Sequence, residues 1–240
     1  MRYYEKVYAS ANSGLHRSDT EEFLAKEARE KLIHLGSGER LLDFGCGTAQ
    51  LTVHYARAFR EVIAVDGSSQ MLHRARERAA HVGASNITFL HGDDRSLWAR
   101  LAGQRFDVVT TAGVLQYLSA AEIGALTAHA TAHLSDRGLI VHFDVPDPRL
   151  CWLLRLRLLG PQRWRLRQLP SALAATARHL GRRIAAIGRV RPTDDLGYLH
   201  HPAVLCAAAA SSGLEPEFVA SIYYEYRYHC LQRRAASPDD

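Results

Sequence analysis

The run Leu41-Leu42-Asp43-Phe44-Gly45-Cys46-Gly47-Thr48 constrains the fold more than any other part of this chain. Two apolar residues and an acid lead into a Gly-Cys-Gly turn, and a helical pattern follows from about Thr48. Gly45 and Gly47 accept positive φ and carry no Cβ, so the backbone there can pass close to a ligand. A following helix would point its free amides and positive dipole end into the same crevice. Val62-Ile63-Ala64-Val65-Asp66 reads as a second buried strand ending in an acid, and Ile87-Thr88-Phe89-Leu90-His91-Gly92-Asp93-Asp94 as a third. Three successive strands that deliver carboxylates to one sheet edge have the layout of an adenosine-binding crevice. Helix capping explains any one of these acids, but it fits poorly with all three at regular intervals.

At these residues the chain resembles the class I S-adenosylmethionine-dependent methyltransferases, from about Arg40 to Asp144 and more loosely to about Arg233. The family's first motif has the form Asp-x-Gly-Cys-Gly-Thr-Gly. Asp43 to Thr48 fit it, and Ala49 stands where the last glycine is usual. The resemblance implies that Asp66, ahead of Gly67 and Met71, accepts hydrogen bonds from both ribose hydroxyls, a charge-assisted arrangement. It implies that Asp93 accepts from the adenine amino group and that the Asp94 amide faces a ring nitrogen. The implied cofactor set is Asp43, Gly45, Cys46, Gly47, Asp66, Gly67, Met71, Asp93, Asp94, Ala112 and Tyr8, with S-adenosylmethionine as cofactor. A dinucleotide fingerprint fits less well, because its third glycine would fall on Gln50.

Strand and helix patterns alternate along the chain. Ser18-Asp19-Thr20-Glu21 has capping-box spacing and opens a helix to about Leu35. Strands are expected over Arg40–Phe44, Val62–Asp66, from Ile87, over Phe106–Thr111 and over Leu139–Asp144. Helices are expected over Ala49–Phe59, Ser69–Val82 and from Ser119 to about Leu134. Such alternation predicts an α/β doubly wound, mostly parallel sheet. A last helix over Pro202–Ser212 and two strands, Glu215–Ala220 and Tyr224–Leu231, complete seven strands in a Rossmann-like methyltransferase fold. The expected divisions are an arm and helix (1–38), a cofactor-binding core (39–145), a helical basic insertion (146–200) and the closing helix and strands (201–240). The insertion is longer than an ordinary connection, and insertions at this place in the family commonly cover the substrate, so a lid is expected.

Charge narrows the partners. The chain has 240 residues and a net charge of +5, yet Arg149 to Arg191 holds eleven arginines and no acid, so the rest is net acidic. The basic character is local, which argues against a nucleic-acid surface spread over the domain. No run reaches the roughly 18 uninterrupted apolar residues of a spanning helix. The first six residues lack the apolar core of a signal peptide, and the four cysteines have no metal or disulfide spacing. A cytoplasmic setting is expected, with no metal. The leucines and tryptophans of the insertion leave contact with a membrane surface as a less favoured reading.

Methyl transfer is a displacement at carbon, and a positioned base helps when the nucleophile is a hydroxyl. His200 and His201, between the insertion and the last helix, are the first candidates. His142 and Asp144, near the end of the fifth strand, are the second. Gln116 and Tyr117 follow the fourth strand, where the reacting atom lies in this fold; with Tyr4 and Trp152 they form the expected substrate set. The expected activity is O-methylation of a small-molecule biosynthetic intermediate. N- or C-methylation, a nucleic-acid acceptor and a non-catalytic cofactor-binding protein are the alternatives. Thr110-Thr111-Ala112-Gly113 lacks the Pro-Pro-aromatic pattern of enzymes that methylate amino groups of bases.

Overall fold

The computed structural model describes residues 20–150 and 197–235. Helix α1 (Glu21–Leu35) begins at Thr20, which has an extended backbone and whose side-chain oxygen accepts the Phe23 amide at 3.4 Å. The observed cap therefore lies two residues beyond the Ser18 expected from spacing. Glu21 and Glu22 in its first turn complement the helix dipole.

Seven strands form one sheet: β1 (Gly38–Phe44), β2 (Phe59–Asp66), β3 (Ile87–His91), β4 (Phe106–Ala112), β5 (Leu134–Pro146), β6 (Leu214–Ala220) and β7 (Arg227–Arg234). Their order is β3-β2-β1-β4-β5-β7-β6. The first five are parallel, and β7 runs antiparallel to both neighbours. Chain order reverses between β1 and β4, so a crevice opens outside their carboxyl ends.

Side-chain alternation explains why the strands read as continuous apolar runs. Leu41, Val62, Val108, Val141 and Phe143 point to one face and meet Ala28 and Leu35 of α1 and Tyr55 of α2 (Thr52–Tyr55). Their neighbours Leu42, Ile63, Val109 and Ile140 point to the other. There they meet Leu97 and Trp98 of α4 (Asp94–Arg100), Ile123 and Leu126 of α5 (Ala120–Ala132), and Leu205 of α6 (Pro202–Ser211). Both faces are covered, as a parallel sheet requires. Each such side chain contributes about 1.5–3 kcal/mol by leaving water. Helix α3 (Ser69–His81) lays Ala75 and Ala79 on Ala49 and Val53.

Three elements differ from their sequence patterns, one of them the last strand, expected over Tyr224–Leu231 and found over Arg227–Arg234. The helix expected over Ala49–Phe59 is only the four residues of α2, preceded by turns, and β2 already begins at Phe59. A helix this short supplies no sizeable dipole to the crevice. Strand β5 begins five residues early, because Leu134 pairs with Phe106 across a register shift and the expected Asp136-Arg137-Gly138 turn is carried within the strand. The Ser119/Glu122 capping box at α5 is present. The expected insertion helices and nearly all of the basic stretch lie outside the described residues, as do Tyr4, Tyr8 and Trp152.

Candidate functional site

The glycine loop is tied to β2. Gly45 and Cys46 both donate their amides to the Val65 carbonyl, at 2.8 and 2.9 Å, and Gly47 donates to Asp66 Oδ2 at 2.8 Å. Gly45 has φ 80° and Gly47 φ 56°. A Cβ on Gly45 would overlap Val114, so the exits of β1 and β4 touch there and floor the crevice, whereas a Cβ on Gly47 would stand in open space. Ala49 also holds positive φ, at 58°, the backbone that glycine usually supplies at this position. Asp43 is buried and accepts from Thr52 Oγ1 at 2.6 Å, so it fixes the start of α2. Burial pushes the Cys46 thiol well up, with Asp43 and Asp66 adding to the effect, so it is no nucleophile.

Asp66 closes the loop on both sides. Its Oδ1 accepts the Ser68 amide at 2.8 Å, and Ser68 caps α3 by accepting from the Met71 amide. Burial raises the Asp66 carboxyl above its usual range, against the lowering effect of the two amides. Each carboxylate oxygen has a second lone-pair direction, which suits a ribose diol. Gly67 offers its carbonyl to His91 Nε2 at 3.1 Å, and Met71 is buried behind the loop. Asp93 lies at the β3 exit as expected, and there it caps α4 in a reciprocal box with Ser96, at 3.1 Å in each direction. Asp94 opens α4; its side chain lies outside the described residues. Ala112 ends β4, and the Gly113 amide after it donates to Phe143.

The residues expected on the acceptor side gather on the turn after β4, Leu115–Tyr117. His200 is buried, and its Nε2 lies 3.1 Å from the Leu115 carbonyl and 2.9 Å from that of Leu118. Carbonyls only accept, so Nε2 carries the hydrogen and Nδ1 keeps the lone pair. Burial lowers the His200 pKa, opposed by the two carbonyls, so the ring is neutral near pH 7. The Tyr198 ring stacks on it, and the Tyr198 amide donates to the Gln116 carbonyl at 2.7 Å. Gln116 is fully buried; its amide nitrogen donates to Tyr117 Oη at 2.8 Å.

The other candidates have different roles. His201 is exposed and caps α6, accepting the Ala203 amide on Nδ1, so the adjacent histidines part company. His142 is sealed between β4 and β7 with Nδ1 3.0 Å from Thr111 Oγ1, and burial drops its pKa to about 4. A neutral ring with no access to the crevice is no base. Asp144 is fully buried and pairs with Lys31 Nζ at 3.0 Å. Lys31 also meets Glu27 at 3.2 Å, while His229 bonds Glu30 at 3.2 Å and receives the Asp144 amide on Nδ1. The sequence pattern opens a helix here but does not reveal this network. Its only signal was Glu27, Glu30 and Lys31 at helical spacing with the core positions. Arg227, buried beside Gln116, was missed for the same reason: a lone arginine in a strand pattern carries no signal.

Comparison with known proteins fits this geometry. A family model described as "Methyltransferase domain" matches residues 41–138. The chain is 48% identical over 56 residues to the 23S rRNA (uracil(1939)-C(5))-methyltransferase of Shewanella sp. (strain ANA-3), but spans only 12% of that protein's length. It is 32% identical over 161 residues to the magnesium-protoporphyrin O-methyltransferase of Rhodobacter capsulatus, covering 64% of this chain and 67% of that one. The chain belongs to the class I S-adenosylmethionine-dependent methyltransferases. The fold agrees: magnesium protoporphyrin IX methyltransferase from Synechocystis PCC 6803, solved with bound SAH, superposes with a TM-score of 0.58 at 18% identity. That match covers 98% of this chain and 93% of the other.

The methyltransferase cofactor fits the residues present. The positive-φ glycines, the open space over Gly47 and the Asp66 carboxylate form a cradle that would hold the methionine part against the loop and the ribose against Asp66. Among the described residues no group of histidine, cysteine or acidic side chains could hold a metal, and no helix is long and apolar enough to cross a membrane.

Proposed function

We propose that this methyltransferase O-methylates a small, largely apolar acceptor and that His200 is the base that takes the acceptor's proton. The observation that carries the reading is the neutral, Nε2-protonated ring of His200, held on the turn after β4. When bound, S-adenosylmethionine supplies a methyl group on a sulfonium, already a good leaving arrangement. The chain's part is then alignment and water exclusion, which contributes on the order of 7–11 kcal/mol. Gln116 and Tyr117 shape the acceptor's seat, and the aromatic cluster of Tyr224 and Tyr226 with Phe23, Tyr223, Leu150 and Leu199 gives it an apolar wall. His200 Nδ1 accepts the hydroxyl proton as the oxygen attacks.

The similarity to a magnesium-protoporphyrin O-methyltransferase supports a small-molecule acceptor and oxygen as nucleophile. An RNA acceptor is the second reading, favoured by the short match to a 23S rRNA methyltransferase. Two of the four cysteines are poorly suited to C5-methylation of a pyrimidine through a covalent adduct. Cys46 is pushed up by burial and Cys230 reaches about 12, again mainly by burial, so neither offers a thiolate. The test is transfer of labelled methyl from S-adenosylmethionine to a fractionated cell extract. Label in the organic-soluble fraction supports the proposal; label in RNA reverses it.

A further inference from the structure

We propose that Arg227 is the anchor for a carboxylate on the acceptor. Arg227 opens β7 at the carboxyl edge of the sheet, opposite Pro146, and is only 2% exposed. A buried guanidinium is costly unless its five N–H groups find acceptors and its charge a partner. Nη1 donates to the Asp144 carbonyl at 2.5 Å, and Nη1 and Nη2 both reach Gln116 Oε1 at a long 3.4 Å. Nε has no partner. The unspent donors are therefore Nε–H and one hydrogen on Nη2, which lie along the same edge of the guanidinium. That edge takes a carboxylate side-on with two parallel bonds. The chain shows the arrangement at Arg149, whose Nε and Nη2 hold the Asp147 carboxylate at 3.0 to 3.1 and 2.7 Å.

No carboxylate among the described residues is in ion-pair distance of Arg227. The nearby buried acids are committed elsewhere. Asp144 and Glu27 turn to Lys31, and Glu30 turns to His229 and the Ile222 amide. Gln116 Oε1 is a neutral stand-in, and it sits on the turn where His200 also converges. The Tyr226 ring lies 4.9 Å from the guanidinium carbon, with Tyr224 beyond it at 5.9 Å. An aromatic or otherwise apolar acid, with its carboxylate on Arg227 and its hydroxyl toward His200, satisfies all of these groups. The inference rests on the methyl-transfer reading, because it takes the turn after β4 as the acceptor's seat.

The test uses the full chain saturated with S-adenosylhomocysteine and titrated calorimetrically with 2-naphthoate and with the isosteric 2-naphthamide. Wild type should bind the acid about tenfold or more tighter than the amide. Arg227→Met should bring the two within about twofold. Gln116→Glu places a carboxylate within the chain against the guanidinium; it should raise thermal stability and abolish the preference, so it decides the matter even if Arg227→Met does not fold. A purely structural clamp would leave the acid–amide preference untouched. Equal binding of the two probes to wild type, binding of neither, or a preference that survives Gln116→Glu overturns the anchor. Failure of S-adenosylhomocysteine itself to bind would instead strike the methyl-transfer reading, and the probe titration on the free chain would still decide the anchor.

Discussion

Ala49 and Asp144 are the two non-glycine residues with left-handed backbone among the described residues; Ala49 lies in the loop after β1 and Asp144 at the irregularity within β5 between His142 and Val145. Left-handed backbone costs a residue with a Cβ about 1–2 kcal/mol. At Ala49 the methyl recovers part of this by packing on Val53, Ala75 and Ala79. Ala49→Gly, the family's usual residue, should therefore fall within about 1 kcal/mol of wild type in urea unfolding. Relief of strain is offset by about 0.4–1 kcal/mol of unfolded-state entropy and by the lost methyl. A loss above about 2 kcal/mol would mean that the left-handed turn is not strained. His200 invites a kinetic test. His200→Gln should lower kcat on the order of 10²–10⁴-fold with cofactor affinity unchanged. Because burial lowers the His200 pKa, the neutral base persists as pH falls, and the acid limb of kcat should lie below pH 6.5. An acid limb above pH 7 would contradict the assignment.

At the scale of elements, the strands were legible and the pieces between them less so. Strands β1, β2 and β4 announce themselves as apolar runs because both sheet faces are covered. Asp66 was readable because an acid at a strand exit next to a glycine loop has few other uses. Asp93 sits at the expected exit with a capping role that its spacing to Ser96 also encodes. Helix α2 was overestimated because Val53 and Tyr55 extend an apolar pattern that the loop geometry cuts short. The proposed acceptor side was least legible, since Gln116, His200 and Arg227 come together only through long-range contacts. Gly197 marks one of those contacts. It holds φ 67°, and a Cβ there would overlap the Gln116 carbonyl. Gly197→Ala should cost about 1–3 kcal/mol in thermal unfolding and slow acceptor turnover, leaving cofactor affinity intact. Helix α1 is held to β5 by the buried Lys31–Asp144 pair and to β7 by Glu30 with His229, as well as by its apolar face. Lys31→Met should cost about 3–5 kcal/mol by denaturant unfolding, because Glu27 and Asp144 are left buried beside an uncharged group. A cost below about 1 kcal/mol would show that those acids find other partners.

Across the whole molecule, the sheet brings two sets of groups to one edge. The proposed cofactor side is Gly45, Gly47 and Asp66 at β1 and β2; the proposed acceptor side is Gln116, His200 and Arg227 at β4 and β7. Val114 against Gly45 joins them. The account stands on the first set, because every proposal about the acceptor presumes a cofactor beside Asp66. The most direct measurement is calorimetric titration of S-adenosylmethionine into wild type and Asp66→Ala. The account predicts one site per chain in wild type and a loss of about 1.5–3 kcal/mol in the variant, the range for a hydrogen bond to a charged group. No binding by wild type, or equal affinity in the variant, would contradict it.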